Sequence, residues 1–301
     1  MSLLEVKQIN KSFGDFKAVD QVSFKVESGK IYGLLGPNGA GKTTTIRMIM
    51  NILVPDSGSI TLFDQPISED TKSRIGYLPE ERGIFQKMKV MELLLFFAEL
   101  HGIKAKQAKQ VANDWLAQLE LSDWAENKVE ELSKGMQQKI QFIASIIHDP
   151  ELIILDEPFS GLDPVNVNLI KDIMLDIRKK GKTIIFSTHM MDAAEKLCDD
   201  ILMINKGVKV LDGPINDIRN EFGKNALRLE FSGNSEDLQK CKIVKNVVDY
   251  SNYAEIEIEE GYSANDLLKE ILPNFQIHSF STKQSSINEI FLQLAGGTNN
   301  D

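Results

Sequence analysis

Residues 36 to 43 have the types and spacing of a loop that binds phosphate groups. They read Gly36-Pro37-Asn38-Gly39-Ala40-Gly41-Lys42-Thr43 and fit the pattern G-x-x-x-x-G-K-[ST]. The glycines allow a turn in which successive backbone N–H groups point at phosphate oxygens, at the start of a helix. We expect Lys42 to reach the terminal phosphates and the Thr43 hydroxyl to bind the Mg²⁺ ion of a nucleotide. Thr44, which follows, is included in the predicted nucleotide site.

The residues on either side of this loop predict the two elements that such a motif needs. The apolar run from Ile31 to Leu35 is typical of a buried strand, and a helix-like stretch runs from Lys42 to Met50. An ordinary glycine-rich turn is the alternative for the eight residues alone. The order of strand, loop and helix favours phosphate binding over that alternative.

A second chemical group, Asp156 and Glu157, follows the apolar run from Leu152 to Leu155. A buried strand that ends in two carboxylates would place Asp156 beside Mg²⁺ and Glu157 beside an attacking water. Hydrolysis of a phosphoanhydride needs a base or a water-orienting group there. A lone carboxylate at a strand end is more often solvated. The pair, downstream of a phosphate loop, favours catalysis.

Composition limits the classes of protein that the chain can belong to. The 301 residues are 42% hydrophobic and 26% charged, which is ordinary for a globular protein with a large core. The formal net charge of −10 argues against nucleic acid as the main partner, because phosphate backbones attract clusters of Lys and Arg.

The sequence predicts neither a secretory signal nor a membrane-spanning helix, and its two cysteines predict no metal site. The first five residues do not predict a secretory signal, and the apolar run from Val90 to Leu100 is too short to cross a membrane. The two cysteines, Cys198 and Cys241, have no metal-ligand spacing. We expect both to be reduced thiols in a cytoplasmic protein.

The first two-thirds of the chain predict an α/β fold, a helix-covered sheet with a helical insertion. Buried parallel strands read as short apolar runs, whereas half-buried strands alternate apolar and polar residues. The predicted strands, besides the phosphate-loop strand, are 3–9, 20–26, 59–63, 152–155 and 183–186. The predicted helical stretches are 90–149, which Pro150 closes, and 164–180, which ends at Gly181.

The pattern changes after Gly213-Pro214 and predicts a second, small α+β domain over residues 224–301. Its elements are a strand 226–231, a helix 235–240, a hairpin 244–259, a helix 263–272, a strand 276–283 and a helix 286–295. The order β-α-β-β-α-β is that of a ferredoxin-like module. The glutamates Glu255, Glu257, Glu259 and Glu260 give it an acidic surface.

Further motifs make residues 1 to about 220 resemble the ATP-binding subunits of ABC transporters. Leu132-Ser133-Lys134-Gly135-Met136 stands in the place of the family signature LSGGQ. Gly76-Tyr77-Leu78-Pro79-Glu80 stands in the place of the Q-loop, where Glu80 replaces the usual glutamine. The resemblance implies a P-loop NTPase core with an antiparallel β subdomain and a helical subdomain over about 81–150.

Three smaller motifs complete the resemblance. Ser160-Gly161-Leu162-Asp163 is similar to the D-loop, and His189 to the switch histidine. Phe13 lies where the family has an aromatic ring that stacks on adenine. Each also has a structural alternative: Phe13 as a core aromatic, His189 as a strand-end histidine, and Ser133 with Gly135 as the start of a helix.

The resemblance implies ATP and Mg²⁺ as ligands and assigns a role to each motif residue. The implied metal ligands are Thr43, Glu80 and Asp156. The implied catalytic residues are Lys42, Glu80, Glu157 and His189. The implied nucleotide-binding residues are Phe13, Gly36, Pro37, Asn38, Gly39, Ala40, Gly41, Lys42, Thr43, Thr44, Ser133, Lys134, Gly135 and Asp163.

The resemblance also implies partners. Two ATP-binding subunits, identical or related, would pair head to tail around two ATP molecules, with each signature facing the other chain's phosphate loop. Integral membrane permease subunits would receive the motion, so the protein would lie at the cytoplasmic face of the membrane. Their cytoplasmic helices would dock near 80–97, with Ile84, Phe85, Met88 and Val90 either receiving them or packing in the core.

Two questions stay open at this level. The stretch GYLPEERG and the C-terminal extension resemble a bacterial branch associated with export, whereas the transported substrate cannot be read from the chain. The altered signature and Glu80 also fit a nucleotide-gated regulatory subunit that hydrolyses ATP poorly. Lys42, Asp156, Glu157 and His189 favour the hydrolysing subunit.

Overall fold

The computed structural model describes residues 2–80, 83, 85–222, 226–250, 252–259, 261–283 and 285–296. It divides the chain into two compact units, Met1–Pro214 and Ile215–Asp301. The short helix after Pro214 groups with the second unit. None of the helices in the described ranges is long and apolar enough to span a membrane.

The strands of the first unit form two sheets. In chain order they are β1 Ser2–Phe13, β2 Phe16–Glu27, β3 Ile31–Leu35, β4 Ser57–Leu62, β5 Gln65–Pro66, β6 Ile75–Leu78, β7 Leu152–Asp156, β8 Thr183–Thr188, β9 Asp200–Asn205 and β10 Val208–Pro214. The antiparallel sheet has the order β2-β1-β4-β5, and the central sheet has the order β10-β9-β3-β8-β7-β6. The central strands run parallel except β10.

The helices of the first unit lie between these strands in the sequence. They are α1 Lys42–Ile49, α2 Glu69–Ser73, α3 Val90–Leu100, α4 Ala105–Gln118, α5 Lys134–Ile146, α6 Pro164–Lys179 and α7 Met191–Leu197. Two short 3₁₀ helices, Ser122–Trp124 and Val129–Glu131, connect α4 to α5. The insertion between β6 and β7 is therefore helical, as predicted.

Burial explains why the central strands are apolar throughout. Every residue of β3, β7 and β8 is buried, as expected for parallel strands covered on both faces. One hydrophobic core joins β1 and β2 to the central sheet and to α1, and it includes Val22, Phe24, Tyr32, Ile46 and Ile185. This core fixes the carboxyl ends of β3, β7 and β8 at one edge of the sheet, where the predicted site residues lie.

The second unit forms a smaller α+β module. Its elements are α8 Ile215–Glu221, β11 Ala226–Ser232, α9 Ser235–Leu238, β12 Val244–Tyr250, β13 Tyr253–Ile258, α10 Ala264–Ile271, β14 Gln276–Lys283 and α11 Ile287–Gly296. The antiparallel sheet has the order β12-β13-β11-β14. Its core includes Leu229, Ile256 and Leu267. The β-α-β-β-α-β order predicted for this region is confirmed.

Some elements have no counterpart in the sequence prediction. Strand β6 and helix α2 precede the insertion, and α7, β9 and β10 follow the switch region. The cysteines are free thiols, Cys198 buried and Cys241 partly buried. Of the four acidic residues predicted on the second unit, Glu260 lies outside the described residues.

Candidate functional site

The loop between β3 and α1 has the backbone that phosphate binding needs. Gly36 has φ 151° and Gly41 has φ 108°, in the positive range that favours glycine. A Cβ atom on Gly36 would lie 2.2 Å from the carbonyl oxygen of Ile204, and one on Gly41 would lie 2.5 Å from that of Ala18. Only glycine fits at these two positions, so the loop packs closely against its neighbours just before α1 begins.

Lys42 is the first residue of α1, and its ammonium group is buried between the loop and a carboxylate. Its Nζ atom donates to the carbonyl oxygens of Gly36, at 2.8 Å, and of Pro37, at 3.2 Å. The same atom lies 3.3 Å from Oε1 of Glu157. A buried charge is costly unless it is paired and hydrogen-bonded, and these three contacts meet that condition.

Asp156 ends β7 with one satisfied and one unsatisfied oxygen. Its Oδ1 atom accepts a hydrogen bond from the Ser187 hydroxyl on β8. Its Oδ2 atom is buried and has no hydrogen-bond partner among the described residues. Burial raises the pKa of Asp156, and the hydrogen bond from the Ser187 hydroxyl opposes that rise. A buried carboxylate oxygen without a partner is suited to bind a cation.

Glu157 follows with an uncommon backbone conformation. Its φ is 49°, in the left-handed region where a non-glycine residue is strained. Its backbone N–H donates to the Ser187 hydroxyl at 3.0 Å. Its carboxylate is buried and lies 3.2 and 3.1 Å from Nδ1 of His189. The turn in the chain thus sends Asp156 and Glu157 to different partners.

Glu80 lies two residues after the end of β6 and contacts Thr43 of the phosphate loop. Its Oε2 atom accepts a hydrogen bond from the Thr43 hydroxyl at 3.1 Å. Thr43, Glu80 and Asp156 are thus the oxygen donors that fit Mg²⁺, together with phosphate oxygens. When bound, Mg²⁺ would neutralise charge on the terminal phosphates.

A cavity of about 330 Å³ lies over the phosphate loop. Its lining residues are Phe13, Phe16, Ala18, Asn38, Gly39, Ala40, Gly41, Lys42, Thr43, Thr44, Glu80 and Glu157. Phe13 and Phe16 are 50% and 62% exposed, and they pair directly across the turn between β1 and β2. This exposure excludes the core-packing alternative for Phe13. Two aromatic rings are therefore available to a nucleotide base at the mouth of the cavity.

Some predicted residues lie outside this cavity. Ser133 directly precedes α5 and caps it, because its side chain accepts from the backbone N–H of Met136 at 3.3 Å; Lys134 is exposed. Asp163 directly precedes α6 and caps it, since its side chain accepts from the backbone N–H groups of Val165 and Asn166. Within one chain, these residues serve as helix caps or face solvent.

The signature and the D-loop lie next to each other in the fold. A Cβ atom on Gly135 would lie 3.6 Å from a methyl carbon of Leu162. Gln138 of α5 also donates to the carbonyl oxygen of Pro158, which follows Glu157, at 3.1 Å. The start of α5 is thus packed against the segment that follows Glu157.

Sequence reasoning missed two residues that matter to the site. Phe16 repeats the aromatic type of Phe13 after two residues, Gly14 and Asp15, that are typical of a hairpin turn. This spacing places both rings on one face of the hairpin. Ser187 lies two residues before His189, and only the parallel register of β7 and β8 shows that it faces Asp156.

A second cavity, of about 360 Å³, lies on the Q-loop side of the first unit. Its lining includes Tyr77, Phe97, Gln141 and the stacked pair His101 and His148. Near it, Phe85 and Phe96 are exposed and make an edge-to-face contact.

The predicted docking residues are placed differently by the structure. Val90 is fully buried, so core packing, one of the two alternatives left open for these residues, holds for it. Its burial follows from its position at the first turn of α3, whose apolar face packs inward. Met88 is partly buried and Phe85 is exposed. Ile84 lies outside the described residues.

Comparison with known proteins identifies the family to which the chain belongs. Residues 19–160 match the family model "ABC transporter", and residues 213–295 match "ATP-binding protein DrrA1-3-like, C-terminal domain". The chain is 39% identical over 298 residues to YhaQ, an uncharacterized ABC transporter ATP-binding protein of Bacillus subtilis, covering 98% of this chain and 99% of YhaQ.

Two further likenesses extend the comparison. A Nod factor export ATP-binding protein I of a Rhizobium species is 37% identical over 239 residues, which cover 78% of each chain. A solved ATP-binding subunit of an ABC transporter superposes with a TM-score of 0.68 at 30% identity, covering 73% of this chain and 93% of that one. The chain therefore belongs to the family of ABC transporter ATP-binding proteins, and its core is a P-loop NTPase fold.

Proposed function

We propose that this ATP-binding subunit hydrolyses ATP and that Glu157 acts on the attacking water. The observation that supports this most is the placement of the Glu157 carboxylate, buried at the edge of the phosphate-loop cavity between Lys42 and His189. A carboxylate beside the terminal phosphate can accept a proton from water or orient it. Surrounding cations or donors keep such a group in a fixed position.

The other residues have separate tasks in this proposal. The loop N–H groups and the Lys42 ammonium bind the phosphates, and Phe13 with Phe16 contacts the base. Asp156 presents its Oδ2 atom, which has no partner among the described residues, and Thr43 and Glu80 present oxygens toward the metal site. His189 holds the Glu157 carboxylate through Nδ1, which leaves Nε2 on the opposite side of the ring.

We propose that hydrolysis occurs in a pair of ATP-binding subunits, identical or related. Ser133, Lys134, Gly135 and Asp163 lie outside the cavity of their own chain, at the starts of α5 and α6. A helix start with a serine hydroxyl and free N–H groups is suited to bind a phosphate that another chain presents. Head-to-tail pairing around two ATP molecules would complete both sites.

We further propose that the pair drives integral membrane permease subunits from the cytoplasmic face of the membrane, in the direction of export. The exposed Phe85 and Phe96 and the adjoining second cavity offer an apolar surface to a permease helix. The name of the Nod factor export relative supports the direction.

The variant Glu157→Gln tests the hydrolytic proposal. Glutamine keeps the shape but is a far weaker base, so the variant should bind ATP and lose most of its turnover. ATP binding stabilises the head-to-tail pair, and this variant no longer removes the ATP by hydrolysis. Size-exclusion chromatography with Mg-ATP should therefore show a dimer. Unchanged hydrolysis would remove Glu157 from catalysis.

The regulatory alternative makes a different prediction for the unaltered protein. A nucleotide-gated subunit would pair with ATP but release little phosphate. Phosphate release should therefore be measured at protein concentrations at which chromatography shows pairing. Rapid release favours the hydrolysing subunit, and slow release by a paired protein favours the regulatory one.

A further inference from the structure

The Ser187 hydroxyl lies between the two carboxylate residues of the site. Ser187 is fully buried on β8, and the parallel register sets it opposite Asp156 on β7. Its Oγ atom accepts the backbone N–H of Glu157 at 3.0 Å and donates to Oδ1 of Asp156. The direction of both bonds is fixed, because a backbone N–H can only donate and the hydroxyl hydrogen is then left for the carboxylate.

We propose that Ser187 is a positioning residue. Its single hydroxyl would orient the carboxylate of Asp156 toward the metal ion and hold Glu157 in position to act on the attacking water. The inference rests on the proposed hydrolytic function, but its first effect, on the metal site, does not depend on hydrolysis. Ser187 itself contacts neither water nor nucleotide in this assignment.

The effect on Asp156 follows from its two oxygen atoms. The hydrogen bond from Ser187 to Oδ1 restricts rotation of the carboxylate, and Oδ2 remains buried without a partner among the described residues. Groups that orient metal-binding residues commonly change metal affinity or activity by about 10- to 100-fold when they are removed. Loss of this hydroxyl would leave both oxygens of a buried carboxylate free to turn.

The effect on Glu157 follows from its backbone. The left-handed φ of 49° is strained and persists only where surrounding contacts hold it. The bond from its N–H to Ser187 is such a contact, and it lies directly before the side chain that reaches His189 and Lys42. Without it, the carboxylate should spend less time in the position proposed for catalysis.

The variants Ser187→Ala, Ser187→Cys and Ser187→Thr test this inference in the full chain. Alanine removes the donor, cysteine replaces it with a weak donor of similar shape, and threonine keeps a hydroxyl. Binding of Mn²⁺ in the presence of ADP, followed by electron paramagnetic resonance, measures the metal site without hydrolysis. Phosphate release, separated into kcat and KM for ATP, measures the second effect.

The control is Thr183→Val, at the opposite end of the same strand. Thr183 is also buried, and its hydroxyl accepts the backbone N–H of Gly29 at 2.9 Å without contacting either carboxylate. It therefore reports the general effect of removing a buried hydroxyl from β8. Unfolding followed by the fluorescence of the two tryptophans gives the stability of every variant.

We expect Ser187→Ala to bind Mn²⁺ at least about tenfold more weakly, and to lose kcat with little change in KM. Ser187→Cys should be intermediate, Ser187→Thr closer to the unaltered chain, and Thr183→Val unchanged in Mn²⁺ binding. Equal Mn²⁺ affinity for all five proteins overturns the inference. So does a loss in Thr183→Val as large as that in Ser187→Ala.

Two further results separate the possible failures. If Ser187→Ala does not fold, the comparison of Ser187→Cys with the unaltered chain decides, and equal Mn²⁺ affinity there overturns the inference. If the unaltered chain proves not to hydrolyse ATP, the proposed function fails, while weaker Mn²⁺ binding in Ser187→Ala still supports the metal-positioning role.

Discussion

The Nδ1 atom of His189 lies 3.1 Å from the Oε2 atom of Glu157 and 3.2 Å from its Oε1 atom. A carboxylate can only accept, so this contact assigns the ring hydrogen to Nδ1. The imidazole is thereby oriented with Nε2 directed away from Glu157. His189 is half exposed whereas Glu157 is buried, so the pair connects the interior of the site with its open side.

The variant His189→Ala should lower phosphate release by about 10- to 100-fold, because Glu157 loses the group that orients its carboxylate. ATP binding should change little, since the loop and Lys42 are intact. Phosphate release and equilibrium ATP binding measure the two effects. His278→Ala is the matched control, because His278 is exposed on β14 of the second unit. Hydrolysis at the unaltered rate in His189→Ala would exclude this role.

The replacement of the Q-loop glutamine by Glu80 should alter the need for Mg²⁺. Glu80 adds a negative charge near Asp156, Glu157 and the nucleotide, and carboxylates that approach one another are favoured only with a cation between them. We expect Glu80→Gln to bind ATP and reach half-maximal hydrolysis at lower Mg²⁺ concentration. The Thr43 hydroxyl keeps an oxygen acceptor in this variant.

Lys134 should act in the partner's site rather than in its own. It is exposed at the first turn of α5, where a cation faces the positive end of the helix. In a head-to-tail pair its charge would approach the partner's γ-phosphate and offset part of the charge that Glu80 adds. Lys134→Gly should therefore weaken pairing more than ATP binding by one chain.

One experiment tests whether the charges of Glu80 and Lys134 compensate each other. Phosphate release is titrated against Mg²⁺ for the unaltered chain, Glu80→Gln, Lys134→Gly and the double variant. If the two charges compensate each other, the effects of the single variants should not add in the double variant. Four superimposable curves would mean that neither charge affects the Mg²⁺ dependence of hydrolysis.

The variant Gly41→Ala should destabilise the first unit and abolish nucleotide binding. At φ 108° an alanine is strained by roughly 1–3 kcal/mol, and its Cβ would also lie 2.5 Å from the Ala18 carbonyl oxygen. Gly181→Ala is the control, because Gly181 also has a positive φ, 84°, but open space around a Cβ. Urea unfolding should separate the two, and equal losses of stability would contradict the close-approach argument.

The sequence allowed prediction of those parts of the site whose residues are close together along the chain. The phosphate loop with its strand and helix, and the Asp156–Glu157 pair after a buried run, each lie in one short segment, so local pattern predicts both. The resemblance to a family supplied Glu80 and His189. Contacts set by strand register, such as Ser187 opposite Asp156, have no local pattern and required the structure.

The sequence did not predict some elements because they are too short to show a recognisable apolar pattern. Strand β6 has four residues, one of them Gly76, so its apolar pattern is too short to recognise. A Cβ on Gly76 would lie 2.1 Å from the Ser145 carbonyl oxygen, so close packing, not strand propensity, selects the glycine. The sequence left the role of Val90 open, because its apolar pattern does not distinguish a buried residue from an exposed one in this region.

His148 should make the first unit less stable as the pH falls. Burial first, and then neighbouring His101, lower the pKa of His148 to about 4, whereas its ordinary value is 6.5. Between pH 4 and pH 6.5 the unfolded chain binds more protons at His148 than the folded chain does. The contribution of neutral, buried His148 to the free energy of unfolding is therefore complete above about pH 6.5 and declines as the pH falls toward 4. His101 has its pKa lowered in the same direction by burial.

Urea unfolding at several pH values tests this prediction. His148→Gln keeps a side-chain donor for the Ile75 carbonyl oxygen, which the His148 ring contacts at 3.2 Å, but it does not titrate. Stability should therefore fall less steeply between pH 6.5 and 4 in this variant. His278→Gln, in the second unit, controls for loss of a histidine elsewhere. Parallel curves for the unaltered chain and His148→Gln would contradict the prediction.

Truncation after Pro214 should leave a folded chain that binds ATP. The residues that line the cavity, and Asp156, Ser187 and His189 beside it, all lie upstream of Pro214. The first unit is compact by itself and contains its own core, so removal of residues 215–301 should preserve it.

Tryptophan fluorescence reports the unfolding of the truncated chain, because Trp115 and Trp124 both lie in the first unit. ATP affinity within about threefold of the full chain is expected, which corresponds to a change of about 0.7 kcal/mol in binding free energy. The full chain with Lys42→Ala gives the reference for a damaged site. A truncated chain that unfolds cooperatively but binds no better than Lys42→Ala would show that the second unit contributes to the site, and that the boundary or the site assignment is wrong.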